Sequence, residues 1–217
     1  MKNVAVILSG SGVFDGAEIH EAVITLLAIR EQGASYQCFA PDRPQLHVIN
    51  HLTGEVAEEE SRNVLVESAR IARGEIKPVT ECNVDDFDAL ILPGGFGAAK
   101  NLCTFALDGA ECSIDEDVLT VCKAFAEAGK PAGYACIAPA LAAAVYGSGR
   151  KLTIGNDKAT AEGLEALGAT HVNCAVDEIV IDTEAKLVTT PAYMLAQDIL
   201  EAKSGIDKMV ETVLAMD

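Results

Sequence analysis

The stretch Pro131-Ala132-Gly133-Tyr134-Ala135-Cys136-Ile137-Ala138-Pro139-Ala140-Leu141-Ala142-Ala143-Ala144-Val145-Tyr146 changes its structural period at one residue. Pro131–Ala135 is a short apolar run of the kind a fully buried strand shows, and Ile137–Tyr146 is an Ala-rich helical run that follows with no loop between them. A strand that feeds straight into a helix must turn sharply, and the turning residue is Cys136. Gly133, Ala135 and Ala138 are small enough to let that turn tighten. Pro139 falls in the first helical turn, where its missing N–H has no partner to lose.

The same alternation extends in both directions. Lys2–Leu8 reads as a buried parallel strand ending in Ser-Gly-Ser-Gly, and Ala17–Gln32 as a helix closed by Gly33. That helix is apolar nearly all round: Ile19, Ala22, Val23, Leu26 and Leu27 form one face, with Ile24 and Ala28 opposite, so it is expected to pack on both sides. Tyr36–Ala40 is a second strand, stopped by Pro41 and Pro44. Residues 45–82 interrupt the rhythm, with a short His47–His51 segment and then a helix from Glu58 to about Arg73. Ala89–Leu92 is a third buried strand, ending in Pro93-Gly94-Gly95, and a helix near Ile114–Ala128 is capped by Ser113. The last third carries Leu152–Ile154, a helix Ala159–Gly168, strands His171–Cys174, Glu178–Ile181 and Leu187–Thr190, and a long helix from about Tyr193. With no repeat, linker or break in composition, the pattern is one domain over residues 1–217. It is a doubly wound α/β sandwich, with a mostly parallel central sheet, helices on both faces and an insertion after strand two. Sites in such folds lie outside the carboxyl ends of the strands. The Ser9–Asp15 loop, the Pro93–Gly97 loop and the Ala135–Pro139 turn are therefore brought together.

Composition bounds the partners. Asp and Glu number 33 against 16 Lys and Arg, a net charge of −17, with half the residues hydrophobic. A mean hydropathy of +0.24 excludes disorder despite the charge, and the acidity excludes nucleic acid and anionic membrane as partners. No apolar run approaches the length of a membrane span or a signal segment. The seven cysteines include no C-x-x-C, and the closest two, Cys103 and Cys112, are nine apart. Reduced thiols, most of them inert and buried, are the expectation, in a cytoplasmic protein.

Three features carry chemistry. A cysteine on a sharp strand-to-helix turn has the geometry of a nucleophile elbow, and the N-terminus of the following helix favours a thiolate. On the turn alone, a small core residue at position 136 is an equally good reading. Pro93-Gly94-Gly95-Phe96-Gly97 offers backbone N–H groups that no side chain shields, so Gly95 together with the Ile137 N–H can hold a developing oxyanion. Glu21 opens a helix whose next eight residues contain one polar group, Thr25, and a carboxyl so desolvated has a raised pKa suited to proton transfer. Glu18 and His20 are its neighbours; an exposed acid serving the helix dipole describes Glu18 better than Glu21.

These segments, G-A-E-x-x-E, P-G-G-x-G-A-x-x-N-L and A-C-x-A-P-A-L, resemble the ThiJ/PfpI superfamily, with its class I glutamine amidotransferase-like, flavodoxin-like fold. Asn50-His51-Leu52-Thr53-Gly54-Glu55 and Thr189-Thr190-Pro191-Ala192-Tyr193-Met194-Leu195-Ala196-Gln197 look like its ElbB branch, the isoprenoid-biosynthesis proteins. The resemblance implies a homodimeric, cofactor-free glyoxalase. It would convert a small 2-oxoaldehyde, glyoxal or methylglyoxal, and water to glycolate or lactate through a Cys136 hemithioacetal. The alternatives are a non-catalytic redox sensor or regulatory protein with an oxidisable Cys136, and a protein deglycase. Many superfamily members carry a His about 20 residues beyond the nucleophile, whereas Lys151–Asp157 contains none; His171, the next candidate, reads as a strand histidine. Glutaminase chemistry is thereby put in doubt. His47 and His51 share a helical spacing but have no third ligand, and no metal is expected.

Overall fold

The computed structural model describes residues 1–216. In chain order the elements are β1 (Asn3–Ile7), α1 (Ile19–Glu31), β2 (Ser35–Ala40), α2 (Val64–Ile71), β3 (Ile76–Pro78), β4 (Ala89–Leu92), α3 (Phe96–Lys100), α4 (Phe105–Asp108) and α5 (Glu116–Glu127). There follow β5 (Ala132–Ala135), α6 (Ala142–Tyr146), β6 (Lys151–Leu152), α7 (Lys158–Ala166), β7 (Thr170–His171), β8 (Val180–Asp182), β9 (Leu187–Thr190) and α8 (Ile199–Ala215).

Seven strands form the central sheet in the order β3-β2-β1-β4-β5-β9-β8. All neighbours are parallel except β8, which runs antiparallel to β9 at one edge. Strands β6 and β7 make a separate two-stranded sheet. The expected α/β sandwich is the observed fold. Alternation along each strand divides the core between the two faces of the sheet. Ala5, Ile7, Leu90 and Leu92 pack with Val118, Cys122 and Phe125 of α5, while Val4, Val6, Ala89 and Ile91 pack with Ile24, Ala28 and Ile29 of α1 and Ile206, Met209 and Val210 of α8. Chain order reverses between β1 and β4, so the loops after these strands open the crevice where such sheets bind ligands.

Several local expectations are corrected. Helix α1 buries one side only: Ile19, Val23 and Leu27 stay exposed while Glu21, Ala22, Thr25 and Ile29 face inward. Helix α2 starts at Val64 rather than Glu58, because the Asn63 side chain accepts the Val66 N–H and caps it. Helix α5 is capped not by Ser113 but by Asp115, whose carboxylate accepts the Val118 N–H at 3.1 Å and also pairs with Arg43 at 2.6 Å. The His47–His51 segment is not helical; its chain pairs instead through an Ile49–Val56 bridge. After Cys136 comes a 3₁₀ turn, Ala138–Leu141, before the short α6. The last helix begins at Ile199, and Ala192–Met194 is a separate 3₁₀ turn.

Candidate active site

Cys136 follows β5 directly, with its N–H donated to Thr190 O of neighbouring β9 at 3.0 Å. Its φ is +60°, in the left-handed region that residues bearing a Cβ avoid. That conformation throws the side chain off the sheet and is held by the surrounding packing, the arrangement of strain found at reactive centres. Cys136 is 7% exposed, and Glu21 is fully buried, as its apolar helix implies.

The two side chains meet. The Cys136 thiol hydrogen-bonds to the Glu21 carboxyl. Glu21 Oε2 accepts the Gly94 N–H at 3.0 Å, and its Oε1 accepts the Tyr193 N–H at 3.0 Å. Gly94 has to be glycine here, since a Cβ would fall 2.8 Å from Glu21 Oε2 and 2.9 Å from Cys136 Sγ. Gly95, at φ +96°, and Ile137 direct their N–H groups at the Cys136 sulfur. Four residues from the sequence reading, Cys136, Glu21, Gly95 and Ile137, thus converge on one centre.

Burial dominates the electrostatics. Desolvation raises the Glu21 carboxyl from 4.5 to about 7, with Glu18 adding to the rise and the Tyr193, Cys136 and Gly94 hydrogen bonds opposing it. Desolvation, followed by the charge of Glu21, pushes the Cys136 thiol well above its ordinary range, against the pull of the Gly95 and Ile137 N–H groups. The expectation of a thiolate held by a helix N-terminus is corrected on this point. A 3₁₀ turn replaces the α-helical first turns, so few peptide dipoles align on the sulfur. The pair carries at most one negative charge, because two anions in contact in an apolar setting repel, and Glu21 is the group that takes it as pH rises through about 7.

Glu18 is the N-cap of α1, its carboxylate accepting the Glu21 N–H at 2.7 Å. His20 turns outward, with Nδ1 2.8 Å from the Tyr193 hydroxyl. His171 lies on the small sheet, where its Nε2 accepts the Ile154 N–H at 3.2 Å. His51 Nε2 accepts the Phe14 N–H. Among the described residues no three His, Cys, Asp or Glu side chains gather as a metal set, and no helix is long and apolar enough to cross a membrane.

Two contributors escape a reading by residue type. Tyr193 acts through its backbone, aimed at Glu21 by Ala192 at φ +45°. Asn101 is buried and ties the loops beneath the site, donating to Ser9 O at 2.8 Å and Asp15 O at 2.9 Å while accepting the Leu46 N–H. The signals were present: both residues fall inside the quoted motifs.

The family model of the DJ-1/PfpI family matches residues 5–201. The chain belongs to this family. It is 49% identical over 222 residues to the human glutamine amidotransferase-like class 1 domain-containing protein 3, mitochondrial, covering 98% of this chain and 82% of that protein. To the rat ES1 protein homolog, mitochondrial, it is 48% identical, covering 98% of this chain and 83% of the relative. A crystal structure of an isoprenoid biosynthesis protein with amidotransferase-like domain from Ehrlichia chaffeensis superposes with a TM-score of 0.92 at 35% identity, covering 99% of this chain and 98% of that one. Glyoxalase III from Candida albicans shares the fold, with a TM-score of 0.62 at 15% identity, covering 99% of this chain and 96% of that one. The expectation of a cytoplasmic protein is overturned by the relatives, which are named as mitochondrial proteins.

Proposed function

We propose that this protein is a cofactor-independent glyoxalase that turns glyoxal, and methylglyoxal less directly, into the 2-hydroxy acid. The observation that carries the reading is the buried hydrogen bond between the Cys136 thiol and a Glu21 carboxyl whose pKa sits near 7. A base at that pKa is half-ionised at neutral pH and able both to take and to return a proton.

In the proposed cycle the Glu21 carboxylate removes the thiol proton as sulfur attacks one aldehyde carbon. The new oxyanion is received by the Gly95 and Ile137 N–H groups. Glu21 returns the proton to that oxygen, completing the hemithioacetal. The carboxylate next removes the hydrogen on the sulfur-bearing carbon while the second oxygen takes up a proton, giving an enediol; the first hydroxyl then gives up its proton as the abstracted one is delivered to the second carbon. One carbon is oxidised and the other reduced, so no external oxidant or reductant enters. Water then hydrolyses the resulting thioester, the C–S bond breaks, and glycolate and the free thiol remain.

The Ehrlichia relative supports assignment to the ElbB branch, and the exposed stripe of Ile19, Val23 and Leu27 supports the homodimer that the resemblance implies. A sensor built on Cys136 has less support, because a thiol that burial keeps protonated reacts slowly with peroxide. Deglycation would begin with the same sulfur attack. The test is glycolate formation from glyoxal in an amine-free buffer, with the fold monitored by circular dichroism. Cys136→Ser is expected to abolish turnover while remaining folded; turnover persisting in that variant would overturn the reading. Turnover seen only with glycated amines would assign the protein to deglycation instead.

A further inference from the structure

Outside the site, two cysteines are brought into contact by the loop that leaves α3. Cys103 pairs across an antiparallel bridge with Ile114. The clamp is closed on both sides, the Thr104 N–H donating to Ser113 O at 2.9 Å and the Asp115 N–H to Leu102 O at 2.9 Å. Ser113 N–H adds a bond to Thr104 Oγ1 at 3.0 Å. Cys112 lies two residues before Ile114, so it occupies the diagonal position on the same face as Cys103, within side-chain reach. The two thiols hydrogen-bond to one another. The Cys103 S–H donates to Ala98 O at 3.3 Å, which leaves its sulfur lone pairs facing Cys112. Cys103 is buried, and Cys112 is half-buried and open to small solutes.

We propose that Cys103 and Cys112 form a peroxide-reactive dithiol, in which Cys112 is the attacking sulfur and Cys103 resolves the oxidised product as an intramolecular disulfide. The co-reactant is a hydroperoxide. The Cys112 thiolate attacks one peroxide oxygen, the O–O bond breaks, and the departing hydroxide takes up a proton and leaves as water. Cys112 is now a sulfenic acid. The Cys103 sulfur attacks the Cys112 sulfur, the S–O bond breaks, and the Cys103 proton leaves with the hydroxyl as a second water. In sum, two thiols and one hydrogen peroxide give one disulfide and two waters.

The selectivity follows from what surrounds each sulfur. The contact with Cys103 draws the Cys112 thiol below its ordinary range, against partial burial and the Asp108 carboxylate. Of the seven cysteines it alone moves down; burial pushes Cys38, Cys82 and Cys122 to about 12, Cys174 to about 11 and Cys136 well up, while the contact with Cys112, followed by burial, raises Cys103. Cys112 is also the more exposed of the two sulfurs, so a hydroperoxide reaches it while Cys103 stays behind it in the core.

The experiment uses the full chain, reduced, desalted and treated with one equivalent of hydrogen peroxide. Remaining thiols are alkylated, and the protein is digested without reductant for mass spectrometry. The expected result is a loss of two thiols, a Cys103–Cys112 cross-linked peptide that dithiothreitol reverses, and oxidation about tenfold faster than at any other cysteine. The cross-link should form equally in Cys136→Ser, which separates it from the catalytic reading. Cys112→Ser, a change at a half-exposed position, should abolish it. Oxidation of Cys136 ahead of this pair, or unchanged peroxide consumption in Cys112→Ser, would overturn the proposal.

Discussion

Replacing Glu21 by Gln and following stability with pH measures how far the carboxyl is desolvated. In the folded chain its pKa is about 7, against 4.5 for the unperturbed group. A carboxyl raised on folding leaves its stability intact below the unfolded pKa and removes it as pH rises toward the folded one. Linkage over these two values makes the wild type lose about 2–3 kcal/mol relative to the Gln variant between pH 5 and pH 8. Gln accepts only one of the two N–H groups that Glu21 accepts, and that cost is independent of pH, so it cancels in the difference. The Cys136 thiol stays protonated over the same range, its pKa held up chiefly by burial, which the substitution preserves. Urea unfolding followed by far-ultraviolet circular dichroism suits a chain without Trp. A stability difference constant to within about 0.5 kcal/mol from pH 5 to pH 8 would show a hydrated carboxyl and refute the reasoning.

Other expectations follow from the same geometry. With Glu21 as the base, kcat/KM for glyoxal should rise about tenfold per pH unit below about 7 and level off above it, read from a pH–rate profile in amine-free buffers. Gly94→Ala should remove nearly all turnover while leaving the sheet intact, because the added Cβ sits between the thiol and the carboxyl; glycolate formation and far-ultraviolet circular dichroism test both halves. Asn101→Ala should lower unfolding free energy by about 2–4 kcal/mol, measured by urea titration, since it strands Ser9 O and Asp15 O in the interior.

Where the sequence was legible, burial was uniform. Val4–Ile7 and Ala89–Leu92 are buried at every residue, and an unbroken apolar run has only one place to go. The edge strand β3 leaves no apolar signature, because its three residues, Ile76–Pro78, alternate partial burial with exposure and end in proline. The acidic run at Glu58–Glu60 resembles a first turn, but Asn63 sets the start of α2, its backbone bridged to Pro44 and its side-chain amide donating to Asp42 Oδ1 while accepting the Val66 N–H. At the site, Cys136 and Glu21 announce themselves by residue type and neighbours. Tyr193 does not, because a backbone N–H looks the same in every residue, and neither does the positive φ of Ala192 that aims it. The net effect of burial on the thiol was equally out of reach, since it depends on a carboxyl 115 positions away in the chain.

Apart from each other and the nearby Glu18, the partners that tune the Glu21–Cys136 pair are main-chain N–H groups, those of Gly94, Gly95, Ile137 and Tyr193. Such donors survive any exchange of side chain except to proline. The side chains of Ile137 and Tyr193 can therefore change without losing these hydrogen bonds, provided the replacements keep the pair as deeply buried. Reactivity and substrate choice are separable here: the first is built into the course of the backbone, and the second is left to whatever the surrounding side chains become.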